Sequence, residues 1–436
     1  MTTEFEGSAE AGRPAGAGAA ATEPFGRLEF SIARLPRILF GGGTSGKLGS
    51  VAREFGRRAL VIVRGPGFTD SLEWVRLLAA LETAGVQVEL ESVSGEPSPT
   101  LVDEIVAHHR GGPATGAGPI DVVVGIGGGS VLDTAKAVAG LLIPGNSVTD
   151  HLEGIGPELP YRGPSVPFLA VPTTAGTGSE ATKNAVVSVC GAGGFKKSFR
   201  DEMLVARVAI VDPDLLAACP SELIAGNGMD ALTQLLESYV STKANPFTDA
   251  LALSGLAAAR DGLVAWFEEA AAGRGTADRG SLAGRAREAM AYAALCSGIC
   301  LAQAGLGAVH GLASPLGAQF PIPHGAACGA TLAAATKVNI AALEVRDPAS
   351  RALPRYAAVG RLFTGPAEGD DREARTALVS ALESLTARLD VRRLSAFGIG
   401  EPSIAALVAD SRGSSMKTNP IVLTDDEIGA ILRASL

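Results

Sequence analysis

Short aliphatic runs that end at glycine or proline, interleaved with stretches of helical periodicity, recur through the first half of this chain and leave few folds open to it. "ALVIVRG" (59–65), "QVELESV" (87–93), "DVVVGIG" (121–127), "PFLAVPTT" (167–174) and "VARVAIVDP" (205–213) read as strands. "SLEWVRLLAALETAGV" (71–86) and "LVDEIVAHHR" (101–110) read as amphipathic helices between them. Continuous aliphatic strands alternating with helices imply a parallel sheet covered on both faces. Composition agrees: 47% of residues are hydrophobic, largely Ala, Val and Leu, and only 5% are aromatic. That mixture suits helices and buried parallel strands, not an aromatic-rich β sandwich.

After Asp212-Pro213 the pattern changes. "SELIAGNGMDALTQLLESYVS" (221–241) and nearly everything beyond it read as helices. The expected organisation is a disordered tail over residues 1–27, an α/β nucleotide-binding domain over 28–213 and a helical domain over 214–436. The tail is rich in Gly, Ala and Glu and lacks large apolar side chains, so it cannot offset the entropy of ordering. "GGPATGAGPI" (111–120) reads as a loop. The cleft between the two large regions is the default place for chemistry.

The net charge of −9 comes without any basic tract, which argues against nucleic acid and anionic membranes as partners. No apolar run reaches the roughly 20 residues that cross a bilayer, and the N-terminus does not read as a secretory signal. The five cysteines are odd in number and form no CxxC, so free thiols in a reducing cytoplasm are expected. Cys296 and Cys300, four apart on a helix, read as small buried hydrophobes.

Two loops stand out. "VVVGIGGGSVLDTAKAVAG" carries a strand, a glycine turn and a helix in that order. Gly127, Gly128 and Gly129 permit a tight turn and a close backbone approach, and Ser130 stands where the helix begins. Free N–H groups at a helix start attract phosphate. A bare strand-to-helix turn is the alternative. Asp133 and Lys136, one turn on, fit a structural role as well as a functional one. "VPTTAGTGSEAT" (171–182) places Thr173, Thr174, Thr177, Ser179 and Thr182 around two glycines, which suits either the polar parts of a nucleotide or an ordinary turn. Lys196 and Lys197 follow, positioned either to reach a ribose or phosphate or simply to lie on the surface.

Five histidines are present. His108 and His109 are expected at the surface, and His151 in a structural role. His310 and His324 bracket "HGLASPLGAQFPIPH", where a helix ending and a returning loop would let both imidazoles face one point. Asp230 and Gln234, four apart on a helix, share one face. One carboxylate and two imidazoles suit divalent iron or zinc with an open position. Separate hydrogen-bonding roles for these side chains are the other reading.

"GGGSVLDTAK", "PTTAGTGSE", "VAIVDP", "GMDALTQLLESYVS", "GAVHGLASPLG" and "PHGAACG", in this order and spacing, resemble the successive motifs of the iron-containing alcohol dehydrogenases. "NPFTDALAL" and "MKTNPIVLTDDEIGAIL" resemble family segments too, so the likeness runs from about residue 28 to 436. It implies a Rossmann-like N-terminal domain followed by a helical metal-binding domain, the dehydroquinate synthase-like fold. It also implies reversible hydride transfer between an alcohol and NAD or NADP, with Fe2+ or Zn2+ as Lewis acid, in a homodimer. Gly127, Gly128, Gly129 and Ser130 would hold the cofactor diphosphate, Thr173, Thr174, Thr182 and Lys196 the rest of the nucleotide, and Asp230, His310 and His324 the metal.

The chain departs from the family at three places. Gln234 stands where the family usually has a His ligand, and would bind weakly through its carbonyl or leave the position to water. Ser314 stands where many members have His, which leaves a bound-water relay through its hydroxyl as the expected proton path. Gly65, preceded by Arg64, stands where many NAD-preferring members carry an Asp, so NADP is expected as readily as NAD. A small alcohol or carbonyl compound is the implied substrate. A dehydroquinate-synthase-like cyclase, a metal-free reductase resembling the maleylacetate reductases and a non-catalytic cofactor-binding protein are the alternatives.

Overall fold

Six parallel strands are aligned in the order β1-β8-β5-β4-β2-β3. In chain order the first part of the protein runs β1 (Arg37–Phe40), α1 (Leu48–Arg53), β2 (Arg58–Arg64), α2 (Leu72–Thr83), β3 (Gln87–Val93), α3 (Pro99–His109), β4 (Val122–Gly127), α4 (Gly129–Leu141) and β5 (Phe168–Pro172). An antiparallel hairpin of β6 (Asn184–Val189) and β7 (Phe195–Arg200) then precedes β8 (Val208–Val211). This computed structural model describes residues 29–436 apart from 66, 111–117, 192, 275–277 and 366–368. The expected tail over 1–27 and most of the 111–120 loop lie outside the described residues.

Successive strand residues point to opposite faces, so continuous aliphatic runs need cover on both. Leu60 and Ile62 of β2 pack with Val102, Ile105, Leu132 and Val138 of α3 and α4. Val61 and Val63 pack with Trp74, Leu77 and Leu81 of α2 on the other face. β2 leads outward to β3, whereas β4 leads the opposite way to β5. The adjacent C-terminal ends of β2 and β4 are therefore the switch point at which such sheets bind ligands. The glycine loop that follows β4 is at this point.

The rest of the chain is helical: α5 (Ser221–Val240), α6 (Pro246–Ala271), α7 (Leu282–Ala304), α8 (Ala308–Gln319), α9 (His324–Arg346), α10 (Ala352–Thr364), α11 (Asp371–Arg388), α12 (Glu401–Asp410) and α13 (Asp425–Ser435). These helices share one hydrophobic core built around α5, including Leu232, Leu235, Leu256, Met290 and Leu332. α5 packs against α6, α7 and α9. Being apolar on several sides, α6 and α9 are, by length and composition alone, long and apolar enough to cross a membrane. That corrects the expectation that no segment would reach this threshold. Their apolar character serves helix–helix packing here, and α9 opens on His324.

Two glycine contacts fix the helices relative to one another and to the sheet. A Cβ on Gly325 would lie 2.2 Å from the Gly226 carbonyl oxygen, so the start of α9 rests directly on the backbone of α5. Gly178, in the left-handed region at φ +60°, approaches α7 so closely that its Cβ would lie 2.4 Å from Gly298 Cα. The loop after β5 is thereby seated on the helical layer, backbone against backbone.

Candidate metal centre and cofactor loops

Gly127 ends β4, Gly128 occupies the N-cap of α4 and no side chain caps that helix. Its first-turn N–H groups point out of a 13-residue helix, with the dipole favouring an anion there. The second loop touches the first. Thr173 N–H donates to the Gly127 carbonyl at 3.0 Å, and a Cβ on Gly128 would lie 3.2 Å from Thr174 Oγ1. Gly127, Gly128, Gly129, Ser130, Thr173 and Thr174 are thus brought to one place at the switch point.

Thr182 is placed differently. It is buried, and its hydroxyl accepts from the Lys136 ammonium at 3.0 Å. Lys136, fully buried, also donates to the Ser179 hydroxyl at 2.8 Å and to the Ser179 and Asn184 carbonyls at 2.9 and 2.6 Å. Asp133 accepts from the Ser179 hydroxyl at 2.5 Å and from Val186 N–H at 3.1 Å. Asp133 and Lys136, for which two roles were open, therefore act as a buried clamp joining α4 to the second loop. Burial lowers the lysine and raises Asp133, each partly offset by the other. Lys196, on β7, pairs with Glu96 at 2.8 Å.

The metal-type donors converge from three helices. α5 carries Asp230, Gln234 and Glu237 on one face at spacings of four and seven. α8 carries His310, and α9 begins with His324. Nε2 of His310 lies 3.1 Å from Asp230 Oδ1, and Nε2 of His324 lies 3.7 Å from the same oxygen. Cys328 Sγ is 3.7 Å from Asp230 Oδ1 and 3.8 Å from each of the two Nε2 atoms. One donor atom from each of these four residues lies within 4.8 Å of the others. Asp230, His310 and Cys328 are buried, whereas the His324 side chain is 28% exposed and forms the accessible side. A carboxylate, two imidazoles and a thiol at such distances are a donor set that fits a divalent transition-metal ion.

Glu237 organises this cluster. One carboxylate oxygen accepts from Val309 N–H in the first turn of α8 at 2.6 Å, and the other is 2.7 Å from His310 Nδ1. A carboxylate at a helix start is favoured by the dipole. The same carboxylate fixes the orientation of the imidazole through Nδ1 and so directs Nε2 toward Asp230. Gln234 donates from Nε2 to Asp230 Oδ1 at 3.1 Å, and its carbonyl oxygen accepts from Ser297 Oγ on α7 at 2.9 Å. Ser314, one turn after His310, donates to the Lys196 carbonyl at 3.4 Å.

Charge in the cluster is strongly coupled. Burial alone would raise the Asp230 carboxyl, but His324, His310 and the Gln234 amide overcome it and hold the group at about 2. Burial lowers His324 to about 4 against the pull of Asp230, with Lys196 and His310 adding to the fall. His310 goes the other way: against burial, Cys328, Asp230 and Glu237 raise it well above the usual imidazole range. Burial pushes the Cys328 thiol up to about 11. His324 Nδ1 is buried without a hydrogen-bond partner among the described residues.

Several placements differ from sequence expectation. His109 is not at the surface: its ring is buried, with Nδ1 2.8 Å from Glu89 and Nε2 2.8 Å from Glu91. Two acidic residues facing inward from the edge strand β3 draw it in. His108 is exposed, as expected, and His151 is held structurally: its Nδ1 donates to the Leu159 carbonyl at 2.8 Å and its Nε2 accepts from the Asn146 amide at 2.9 Å. The sequence reading missed Cys328, Glu237 and Ser297. Cys328 follows His324 by four residues and Glu237 follows Asp230 by seven, so helical spacing was the available signal for both.

Comparison with known proteins finds relatives along nearly the whole chain. A family model described as iron-containing alcohol dehydrogenase matches residues 36–213, and one described as Fe-containing alcohol dehydrogenase family, C-terminal, matches 224–436. The chain is 31% identical over 405 residues to alcohol dehydrogenase 4 of Schizosaccharomyces pombe, covering 91% of this chain and 87% of that one. It is 30% identical over 414 residues to long-chain-alcohol dehydrogenase 1 of Geobacillus thermodenitrificans, covering 93% and 97%. Among solved structures, sulfoacetaldehyde reductase from Bifidobacterium kashiwanohense in complex with NAD+ superposes with a TM-score of 0.77 at 26% identity, covering 94% of this chain and 99% of that one.

Proposed function

The chain belongs to the iron-containing alcohol dehydrogenases, and on that premise we propose that it oxidises small alcohols, or reduces the matching aldehydes or ketones, at the cluster of Asp230, His310 and His324. In this reading residues 28–213 bind the cofactor and 214–436 the metal. A divalent ion held there would supply a Lewis acid for the oxygen of the reacting alcohol or carbonyl group. Asp230 and the two imidazoles would hold it, and Glu237 would orient His310. The observation that carries the proposal is the convergence of these donors on one partly open point.

The start of α4, with Gly127, Gly128, Gly129 and Ser130, would bind the cofactor diphosphate. Thr173 and Thr174 would flank it, Lys196 would lie toward the metal side, and Thr182 would support the second loop from within. Ser297 links the regions: its hydroxyl lies 2.9 Å from Gln234 and 3.4 Å from the Gly176 carbonyl. Together with the seat of Gly178 on Gly298, this bridge would set the distance between nicotinamide and metal, a positioning contribution to hydride transfer. Gln234 in place of His marks a branch of the family. Its amide and the Ser314 hydroxyl are both directed at protein groups, so we name no general base.

The sulfoacetaldehyde reductase structure is in complex with NAD+, and Gly65 carries no carboxylate to repel a 2′-phosphate. We therefore propose that NADP is accepted as well as NAD. All five cysteines are free thiols, which suits a cytoplasmic enzyme. A homodimer follows from the family resemblance. Initial rates on a panel of primary alcohols and aldehydes with both cofactors test the reading. Chelator-sensitive NAD(P)H turnover, restored by iron or zinc, is expected. Cofactor binding without turnover across the panel contradicts it.

A further inference from the structure

The geometry points to Cys328 as a fourth metal ligand, its sulfur joining the Asp230 carboxylate and the imidazoles of His310 and His324, while Gln234 holds Asp230 in place instead of binding the ion. The inference rests on the metal site proposed above and adds a ligand to it.

Cys328 sits one turn after His324 on α9, so both side chains face the same side of that helix. Its sulfur is buried within hydrogen-bonding reach of all three other donors, at 3.7, 3.8 and 3.8 Å. A tetrahedral zinc site with Zn–S of about 2.3 Å and Zn–N or Zn–O of about 2.0 Å has S···N and S···O edges of roughly 3.5 Å and N···O edges of roughly 3.3 Å. The observed N···O separations are 3.1 and 3.7 Å. Five of the six donor separations thus lie within about half an ångström of the edges that such an ion requires, and the sixth, between the two imidazoles, is under 4.8 Å.

Gln234 stands at the position whose residue usually ligates in this family, yet its amide N–H is turned to Asp230 and its carbonyl oxygen to the Ser297 hydroxyl, which also lies 2.8 Å from the Ala294 carbonyl. An amide binds a metal through oxygen, so this orientation holds the carboxylate and leaves one ligand to be found elsewhere. Cys328 supplies it from the neighbouring helix. Binding replaces the S–H bond by a sulfur–metal bond, and the proton leaves to solvent. The partly exposed His324 side remains the direction of approach for substrate, whose oxygen would then add as a fifth ligand. A thiolate is a softer donor than imidazole and shifts preference toward zinc.

The test is cobalt titration of metal-stripped full-length protein without oxygen. Wild type is expected to bind one Co2+ per chain and to develop the near-ultraviolet thiolate-to-cobalt charge-transfer band. Cys328→Ser should lose that band and bind at least about tenfold more weakly. One bound Co2+ with no such band, or with an identical band in Cys328→Ser, overturns the inference while leaving the metal site standing. Failure of wild type to bind Co2+, Zn2+ or Fe2+ at all overturns both. Should the variant not fold, X-ray absorption of wild type loaded with one equivalent of zinc decides the matter. One sulfur at about 2.3 Å is expected, and a first shell of nitrogen and oxygen alone overturns the inference.

Discussion

The proposed cofactor loops and the proposed metal centre would solve different problems with different materials. The loops work through backbone: Gly127 to Ser130 are consecutive, and what they offer is N–H groups and the room left by missing side chains. The proposed metal centre would work through side chains brought from α5, α8 and α9, of which Asp230 and His310 are held by neighbours behind them. Glu237 fixes His310, Gln234 fixes Asp230, and Ser297 fixes Gln234. A backbone site is therefore sensitive to added bulk. A side-chain site is sensitive to lost donors and to the partners that aim them.

The contrast can be broken at the metal first. Asp230→Ala should lower kcat/KM by about a thousandfold or more, because a Lewis acid is worth several kcal/mol, while cofactor affinity measured by fluorescence titration stays near wild type. Equal loss of cofactor binding would mean that the two regions are not separable.

The second effect is on stability and belongs to the cofactor side. Glu180 is buried beside the clamp, and burial raises its carboxyl to about 7, only partly offset by its own backbone and Lys136. A carboxyl raised in the folded state leaves stability intact below its unfolded value near 4.5 and removes it as pH rises through about 7. Glu180→Gln should abolish that loss, giving roughly 3 kcal/mol more stability than wild type at pH 8 and little difference at pH 4. Urea unfolding at the two pH values reads it, and parallel curves for the two proteins would refute it.

Glu237→Gln comes next. It keeps a hydrogen-bonding group beside His310 but removes the charge, and should weaken metal binding by about ten- to a hundredfold without altering cofactor affinity. The smallest effect concerns the loop. A Cβ on Gly129 would meet Thr177 at 2.7 Å, so Gly129→Ala should raise the cofactor KM by roughly tenfold through overpacking, with metal content unchanged. A variant that instead lost metal would show the loop to be mechanically tied to the cluster.

Much of this molecule was legible in its sequence, and the reason follows from the same contrast. Doubly buried parallel strands write themselves as unbroken aliphatic runs, and a tight strand-to-helix turn writes itself as adjacent glycines. The hairpin of β6 and β7 escaped notice because "FKKSFR" is polar and partly exposed, without the clean alternation that marks a strand. His109 was misplaced because its burial depends on Glu89 and Glu91 of another element. In the metal cluster, Asp230, His310 and His324 could be picked out by residue type. Cys328 was passed over because a thiol reads equally well as a small hydrophobe until its neighbours in space are known. Glu237 shares a helix face with Asp230, but it and Ser297 act through other side chains, and spacing alone does not disclose that role.

The central claim is that Asp230 and its partners form a working metal site although Gln replaces one histidine. Elemental analysis of protein purified without oxygen, side by side with Asp230→Ala, tests it most directly. The account predicts close to one iron or zinc per wild-type chain and essentially none in the variant. Protein that carries no metal and takes up neither ion when it is supplied would contradict it.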